Sequence, residues 1–279
     1  MRDLNSGAER ADRRAQVRLA LALVALALAA VPLRGQEPQR NSCVFCHGRL
    51  SETSGAGHGF AAWQSSPHEA AGVTCEACHG GDPAAADTAE AHRGIRPSSD
   101  PGSPVFFTRI PNTCGRCHAA EVGYFRTSLH YARLETDGRG PNCVTCHGAM
   151  ATRVLTPERL LGTCSACHTE GGVAPPELAR EASRVLALVR AENLLYDVVA
   201  AEAVTRRGTR AGVHASVLLG DAQRHLQAAA EVWHSFRLDS AAARLDEARQ
   251  TTVEAWEALG HPAPETGARA LPGAQPRPR

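Results

Sequence analysis

Hydrophobic and polar positions divide the chain into four stretches. An uncharged apolar run from Leu19 to Leu33 is followed, over residues 36–172, by short segments rich in glycine, proline and serine that show no regular period. From residue 173 to 260 apolar residues recur at helical spacing, and residues 261–279 are rich in proline, glycine and arginine. This pattern predicts a mainly α protein with loops and short helices, little or no sheet, a helical domain over 173–260 and a disordered tail over 261–279.

The helical stretch is expected to form a helical hairpin or a three-helix unit. Its first helix begins near Pro176, with an apolar stripe made by Leu178, Val185, Leu188, Leu195 and Val199. Gly208 and Gly212 interrupt the pattern, and a second helix is expected from about Val213 to Phe236. Its buried candidates are Val217, Leu218, Leu226 and Trp233. Asp239 or Ser240 is expected to cap a third helix that ends near Leu259 and Gly260.

The N-terminal run has the features of an export signal over residues 1–35. Several arginines precede an apolar segment that is short for a membrane span and suits a signal-peptide core. Because Pro32 and Arg34 do not make a clean cleavage region, an uncleaved membrane anchor is the alternative. Either way, we expect the rest of the chain to lie in the periplasm.

Composition narrows the possible functions. Only 4% of the residues are aromatic, so the chain has few large side chains with which to fill a conventional hydrophobic core. A formal charge of +1 gives no electrostatic footprint for nucleic acid, and none is expected as a partner. The basic residues are all arginines, because the sequence contains no lysine.

The ten cysteines form five copies of the pattern Cys-x-x-Cys-His. In chain order the copies are Cys43/Cys46/His47, Cys75/Cys78/His79, Cys114/Cys117/His118, Cys143/Cys146/His147 and Cys164/Cys167/His168, called here the first to fifth motifs. With 13 histidines in 279 residues, a histidine after all five pairs has odds by chance on the order of one in several million. Two cysteines at this spacing can bond the two vinyl groups of a haem, and the following imidazole can bind the iron. The pattern therefore predicts five covalently bound haems c over residues 36–172.

Two other uses of paired cysteines fit less well. Structural zinc sites normally need two pairs for each ion, and five pairs cannot be divided in that way. Disulfides are possible outside the cytoplasm, but they give no reason for a histidine after every pair. Five macrocycles in so short a stretch leave no room for an ordinary hydrophobic core, so we expect the haems themselves to form the core.

Further histidines are candidates for the second axial position of each iron. A Ser-x-His sequence occurs twice, as Ser66-Pro67-His68 and Ser128-Leu129-His130, each time between two motifs. This imperfect repeat favours His68 and His130 as ligands, and position among the motifs adds His58 and His92. A fifth ligand stays open between Met150, His214, His225, His234 and an empty coordination position.

The segment from Trp63 through Ser66, His68, Gly72 and Val73 to Gly80 resembles a signature of bacterial multihaem cytochromes c. That group includes tetrahaem and pentahaem electron carriers and the related nitrite reductases and hydroxylamine oxidoreductases. The resemblance covers about residues 41–170 and implies distal ligands at His68 and His130. Nitrite reductases of the group use a lysine-ligated haem, which a chain without lysine cannot build. Nothing around the three tyrosines, Tyr124, Tyr131 and Tyr196, indicates the tyrosine cross-link of the oxidoreductases.

These observations favour periplasmic electron transfer through five haems that are mostly bis-histidine-ligated. Redox proteins are the expected partners, either a quinol-oxidising cytochrome or a terminal reductase, with membrane association possible through an uncleaved N-terminus. The alternative is a small multihaem reductase that acts on nitrogen or sulfur oxyanions at one five-coordinate haem. The C-terminal helices could serve as a docking element or simply cover the haems.

Overall fold

The computed structural model describes residues 41–54 and 59–263. The expected signal sequence, His58 and most of the expected disordered tail therefore lie outside the described residues. From Ser42 onward the described chain belongs to one compact unit. No helix in the two described ranges combines the length and apolar character that crossing a membrane requires.

The structure confirms the expected fold class, because the described chain is mainly helical. No β-strand occurs within residues 41–54 and 59–263, and the β-type pairing found there is an isolated bridge between His168 and Ala174. The first part of the chain contains short helices: α1 (Ser42–His47), α2 (Phe60–Gln64), α3 (Pro67–Ala70), α4 (Glu76–His79), α5 (Thr88–Ala91), α6 (Ile110–Cys114), α7 (Ala119–Phe125), α8 (Leu129–Asp137), α9 (Cys143–His147) and α10 (Pro157–Cys164). A 3₁₀ turn, Phe107–Arg109, precedes α6.

Three long helices follow: α11 (Pro176–Thr205), α12 (Arg210–Trp233) and α13 (Leu238–Ala258). Pro176 occupies the first turn of α11, where its missing N–H costs no helical hydrogen bond. Thr209 caps α12, and its hydroxyl oxygen accepts a hydrogen bond from the Gly212 N–H at 3.0 Å. The C-terminal stretch is therefore a three-helix unit rather than a hairpin.

Small residues allow these three helices to pack closely. Two buried clusters connect them, one around Val185, Leu226 and Leu245 and the other around Val199, Leu219 and Leu259. Alanines that are fully shielded from solvent line the contact, including Ala229, Ala241, Ala248 and Ala255. Because alanine has a short side chain and the highest helix propensity, it brings helix backbones together without weakening the helices.

Several details of the helical stretch differ from the sequence expectation. Leu178 and Val217 were expected to be buried, but they are 49% and 63% exposed. Gly212 does not end a helix, because it lies inside the first turn of α12, and Arg237 rather than Asp239 or Ser240 occupies the cap position of α13. Helical spacing identifies an apolar face and a possible helix end. Which residues a neighbouring helix covers, and where each helix begins, is set by tertiary packing.

Matched valine substitutions test this core. Val185 is fully buried and Val213 is 58% exposed, so the same change to alanine removes the same atoms in two environments. Val185→Ala should lower the free energy of unfolding by about 2 kcal/mol, from lost burial and the cavity left behind. Val213→Ala should change it by less than about 0.5 kcal/mol. Urea unfolding of the full-length protein followed by circular dichroism measures both, and equal effects would contradict this packing.

The three-helix unit also packs against the motif region. Leu155, Leu160 and Ala182 form a third buried cluster, with Leu160 fully buried, and Cys146 and Cys164 lie against it. The Ser183 hydroxyl donates to the Pro157 carbonyl at 2.9 Å, which ties α11 to the start of α10. The fourth and fifth motifs therefore lie directly beneath the first half of α11.

Candidate functional site

Each motif is built on a single helical turn. In the second, third and fifth motifs the histidine N–H donates to the carbonyl of the first cysteine at 2.9 Å, as in His79 to Cys75, His118 to Cys114 and His168 to Cys164. A bond over four residues places the first cysteine and the histidine on neighbouring turns of one helix face. The second cysteine, three residues after the first, lies near the same face.

All ten cysteines lie within the described residues, where none of them forms a disulfide. The described chain also contains no cluster of three or more histidine, cysteine or acidic side chains arranged to hold a metal ion directly.

Three of the predicted attachment cysteines are exposed to solvent, whereas the other seven are half-buried. The exposed ones are Cys46, Cys117 and Cys167, the second cysteines of the first, third and fifth motifs. The described polypeptide does not cover these three sulfurs by itself. In the second and fourth motifs the equivalent cysteines, Cys78 and Cys146, lie beside the first cysteine of the next motif. Haem attachment through Cys46, Cys117 and Cys167 therefore stays a prediction from spacing, at solvent-facing edges of their motifs.

Cysteines of the first three motifs lie next to one another in chain order. Burial raises the pKa of the Cys75 thiol to about 11, and the nearby Cys43 thiol contributes to the shift. Burial likewise raises the pKa of Cys78, with Cys114 as the next cause. The second motif therefore lies between the first and the third.

The same succession continues to the end of the motif region. The thiols of Cys114 and Cys143 are within hydrogen-bond reach, and this bond raises the pKa of Cys114 and lowers that of Cys143. Burial raises the pKa of Cys146 to about 11, with Cys164 as the second cause. The five motifs thus follow one another in space as they do in sequence, which the sequence alone did not reveal.

The repeated Ser-x-His sequence has a local structural reason. Ser66 and Ser128 are buried N-cap residues whose hydroxyl oxygens accept hydrogen bonds from the N–H groups of Glu69 and Tyr131. In both copies the histidine is the second residue of the helix that follows, α3 or α8. Because the cap fixes the start of the helix, it also fixes the direction in which His68 or His130 points.

Among the described residues, four histidine pairs each bring one motif histidine against one histidine from elsewhere. The ring centres are 6.0 Å apart for His47 and His92, 6.0 Å for His118 and His68, 6.0 Å for His168 and His130, and 6.4 Å for His147 and His234. The partner of each motif histidine lies far along the chain, and for His47, His118 and His147 it is not the nearest candidate histidine in sequence. His68 precedes the second motif, for example, but faces His118 of the third.

This spacing fits an iron atom between the two rings. Metal–imidazole bonds are about 2.0 Å long, and a ring nitrogen lies about 1.1 Å from its ring centre, so two axial imidazoles should have centres about 6.2 Å apart. Rings in van der Waals contact would lie closer, as Trp256 and His261 do at 3.7 Å. A second feature suits the carboxylates of haem: the indole N–H of Trp233, beside His234, is buried and has no hydrogen-bond partner among the described residues.

His234 is the partner that the sequence left unresolved. It follows the last residue of α12 and, with Trp233 and Phe236, forms the corner that leads into α13. The Phe236 ring packs edge-on at 4.2 Å from the His130 ring, so the corner touches two histidine pairs. The aromatic residues flanking His234 were the sequence feature that could have identified it as a ligand, since a solvent-exposed helix end rarely carries residues such as Trp233 and Phe236.

The other candidates for the fifth ligand lie elsewhere. His214 is exposed on α12, and His225 contacts the Glu247 carboxylate at 2.9 Å. Met150 packs close to Gly59, which adopts a positive φ of 78°.

Three of the paired histidines lie in surroundings that favour the neutral form, which is the form that binds metals. Burial lowers the pKa of His130, with the nearby His168 as the second cause, and burial followed by His118 lowers the pKa of His68. Burial also lowers the pKa of His234. A neutral imidazole offers its nitrogen lone pair, whereas a protonated one cannot coordinate.

Hydrogen bonds donated by Nδ1 orient several of these rings. His92 Nδ1 donates to the Thr88 carbonyl at 2.7 Å, His147 Nδ1 to the Arg153 carbonyl at 2.9 Å and His234 Nδ1 to the Ala230 carbonyl at 2.8 Å. Because a carbonyl only accepts, Nδ1 carries the proton and Nε2 is left free for a metal. His130 and His168 differ, since their Nδ1 atoms are buried and find no partner within the described part of the chain.

Comparison with known proteins relates the chain to one kind of protein. No protein-family model matches the chain, and no solved structure matches it. Two curated relatives, each named C-type polyheme cytochrome OmcB and each from a strain of Geobacter sulfurreducens, are 26% identical over 163 residues. The match covers 47% of this chain and 20% of each relative, so the chain spans about a fifth of the length of these proteins. The similarity supports a relationship to the multihaem c-type cytochromes.

Proposed function

We propose that the chain is an electron-transfer module that carries five covalently bound haems c in the order of its five motifs. The observation that carries the proposal is the set of four histidine pairs, each with one motif histidine and a separation suited to one iron. The polyhaem relatives support the same class of function.

The side chains supply attachment, ligation and spacing. In each motif two cysteine sulfurs would anchor a haem through thioether bonds, and the motif histidine would bind the iron from one side. His92, His68, His234 and His130 would occupy the opposite side in the first, third, fourth and fifth motifs. With both axial positions filled, a haem iron exchanges electrons but does not bind a substrate.

For the second motif we propose His58 as the distal ligand. The other three distal candidates named from the motif region are each paired with a different motif, which leaves His58 for His79. Met150, which lies against the neighbouring Gly59, is the alternative donor. A His58→Ala variant with one altered haem would support His58, and the same result from Met150→Ala would support Met150.

Contacts between successive motifs support a continuous path for electrons. Cysteines of adjacent motifs lie close enough for one thiol to raise the pKa of the other, from Cys43 and Cys75 at one end to Cys164 and Cys146 at the other. Haems attached to them would be neighbours, so an electron would pass between adjacent haems along the chain order. We propose a periplasmic location, after export by the N-terminal segment, with redox proteins as donor and acceptor.

Haem content and spin state test the proposal together. Purified from a host that matures c-type cytochromes, the exported protein should have the mass of its polypeptide plus five haems. Ferric electron paramagnetic resonance should show low-spin signals for every haem. A mass without haem would end the proposal, and a high-spin signal that changes on adding nitrite or hydroxylamine would favour the reductase alternative.

A further inference from the structure

The histidine pairs of the fourth and fifth motifs differ in their hydrogen bonding. Both rings of the fourth pair donate from Nδ1 to backbone carbonyls, His147 to Arg153 at 2.9 Å and His234 to Ala230 at 2.8 Å. Both Nδ1 atoms of the fifth pair, on His130 and His168, are buried without a partner among the described residues. Two adjacent sites in one chain therefore have opposite surroundings for the same ligand atoms.

This difference changes how strongly each pair donates electrons to a metal. A carbonyl that accepts the Nδ1 proton makes the imidazole more basic, and a more basic ligand stabilises ferric iron relative to ferrous iron. Without that hydrogen bond the ligand is a weaker donor, and the ferrous state is favoured.

The neighbouring groups act in the same direction. The Glu121 carboxylate lies close to His234, so a negative charge lies near the fourth pair. A negative charge stabilises the ferric site, which carries one more positive charge than the ferrous site. At the fifth pair, the ring packed against His130 is Phe236, which provides neither a charge nor an oxygen acceptor.

We propose that the fifth haem has the higher reduction potential of the two, so that electrons pass from the fourth haem to the fifth. With haem bound, His147 and His234 would hold the donor iron and His130 and His168 the acceptor iron, and one electron would pass between them with no proton or group transferred. This inference rests on the proposed function. It adds a direction of flow toward the C-terminal motif that haem binding alone does not imply.

A potentiometric titration of the haem-loaded full chain tests the order directly. Nuclear magnetic resonance would follow each haem, with His234→Ala and His130→Ala identifying the signals of the fourth and fifth. We expect the equilibrium between the two to favour a reduced fifth haem by at least tenfold, which is about 59 mV for one electron. In the reduced protein the Nδ1 protons of His147 and His234 should resonate downfield of those of His130 and His168.

A substitution at Phe236 then tests the cause. Phe236 has a positive φ of 58°, which asparagine adopts more readily than most residues, and its ring lies against His130. Phe236→Asn places an amide oxygen near the unpartnered ring and should lower the fifth potential, whereas Phe236→Leu, which adds no acceptor, should leave the order unchanged.

The outcomes separate the two proposals. A chain without haem overturns both, since the direction of flow depends on haem attachment. A fully loaded protein whose fourth haem is reduced at the same potential as the fifth, or at a higher one, leaves the electron-transfer function standing and overturns this inference. The wild-type titration decides the matter even if Phe236→Asn loads haem poorly.

Discussion

A chain produced without covalent haem is expected to leave residues 42–172 unfolded while the three long helices stay folded. The buried hydrophobic side chains are distributed in this way: six lie in residues 42–172, against fifteen in residues 173–263. None of the six precedes Ile110, so the first two motifs have no buried apolar side chain of their own in the described residues. Short helices without a core are not stable in water, because helix formation in proteins depends on packing.

Hydrogen exchange read by mass spectrometry measures this difference along the chain. In protein from a host that lacks cytochrome maturation, amides of residues 42–172 should exchange at rates near those of an unfolded chain. Amides within α11, α12 and α13 should stay protected. The haem-loaded protein serves as the control and should be protected in both regions. Protection of the motif region without haem would show that the polypeptide alone provides a core.

The long helices illustrate what a sequence pattern can and cannot predict. Val185 and Val199 were placed in the core by helical spacing, and both are fully buried. Leu178 and Val217 follow the same spacing but are exposed. Periodicity identifies an apolar face, whereas the extent to which a neighbour covers that face depends on where the other helices end and cross.

The candidate site shows the same division between local and long-range information. Candidate attachment residues could be predicted from spacing because the chemistry of two thioethers and one imidazole is local. The exposure of Cys46, Cys117 and Cys167 could not be predicted from spacing, since it depends on which other segments lie over each motif. The pairing of the histidines could not be predicted from spacing either, since His68 faces His118 across an intervening motif. Such a pairing depends on how the short helices stack, and stacking around large cofactors leaves no periodic pattern in the sequence.

The corner between α12 and α13 connects the two parts of the molecule. Trp233 packs with Phe236 at 5.4 Å and with His234 at 6.0 Å, and Phe236 reaches His130. A positive φ at a phenylalanine is an uncommon conformation that the surrounding structure must hold in place. These contacts support the proposal that the C-terminal helices supply a ligand to the fourth motif.

Replacing the ligand from this corner is expected to change one haem in five. In His234→Ala the fourth iron would lose one axial imidazole, so its ferric form should change from low spin to high spin while the other four stay low spin. The visible and electron paramagnetic resonance spectra would show a high-spin component of about one fifth of the total haem. Added imidazole should bind the open position and restore the low-spin spectrum.

A histidine elsewhere on the same helix provides the matched control. His214 is exposed on α12, and His214→Ala removes the same atoms without approaching any of the four pairs. It should leave all haems low spin and unresponsive to imidazole. If His234→Ala also kept five low-spin haems, the fourth iron would have a different ligand, and the long helices would lose their assigned part in the electron path. Circular dichroism of both variants separates loss of a ligand from loss of the helices, because only unfolding would lower the helical signal.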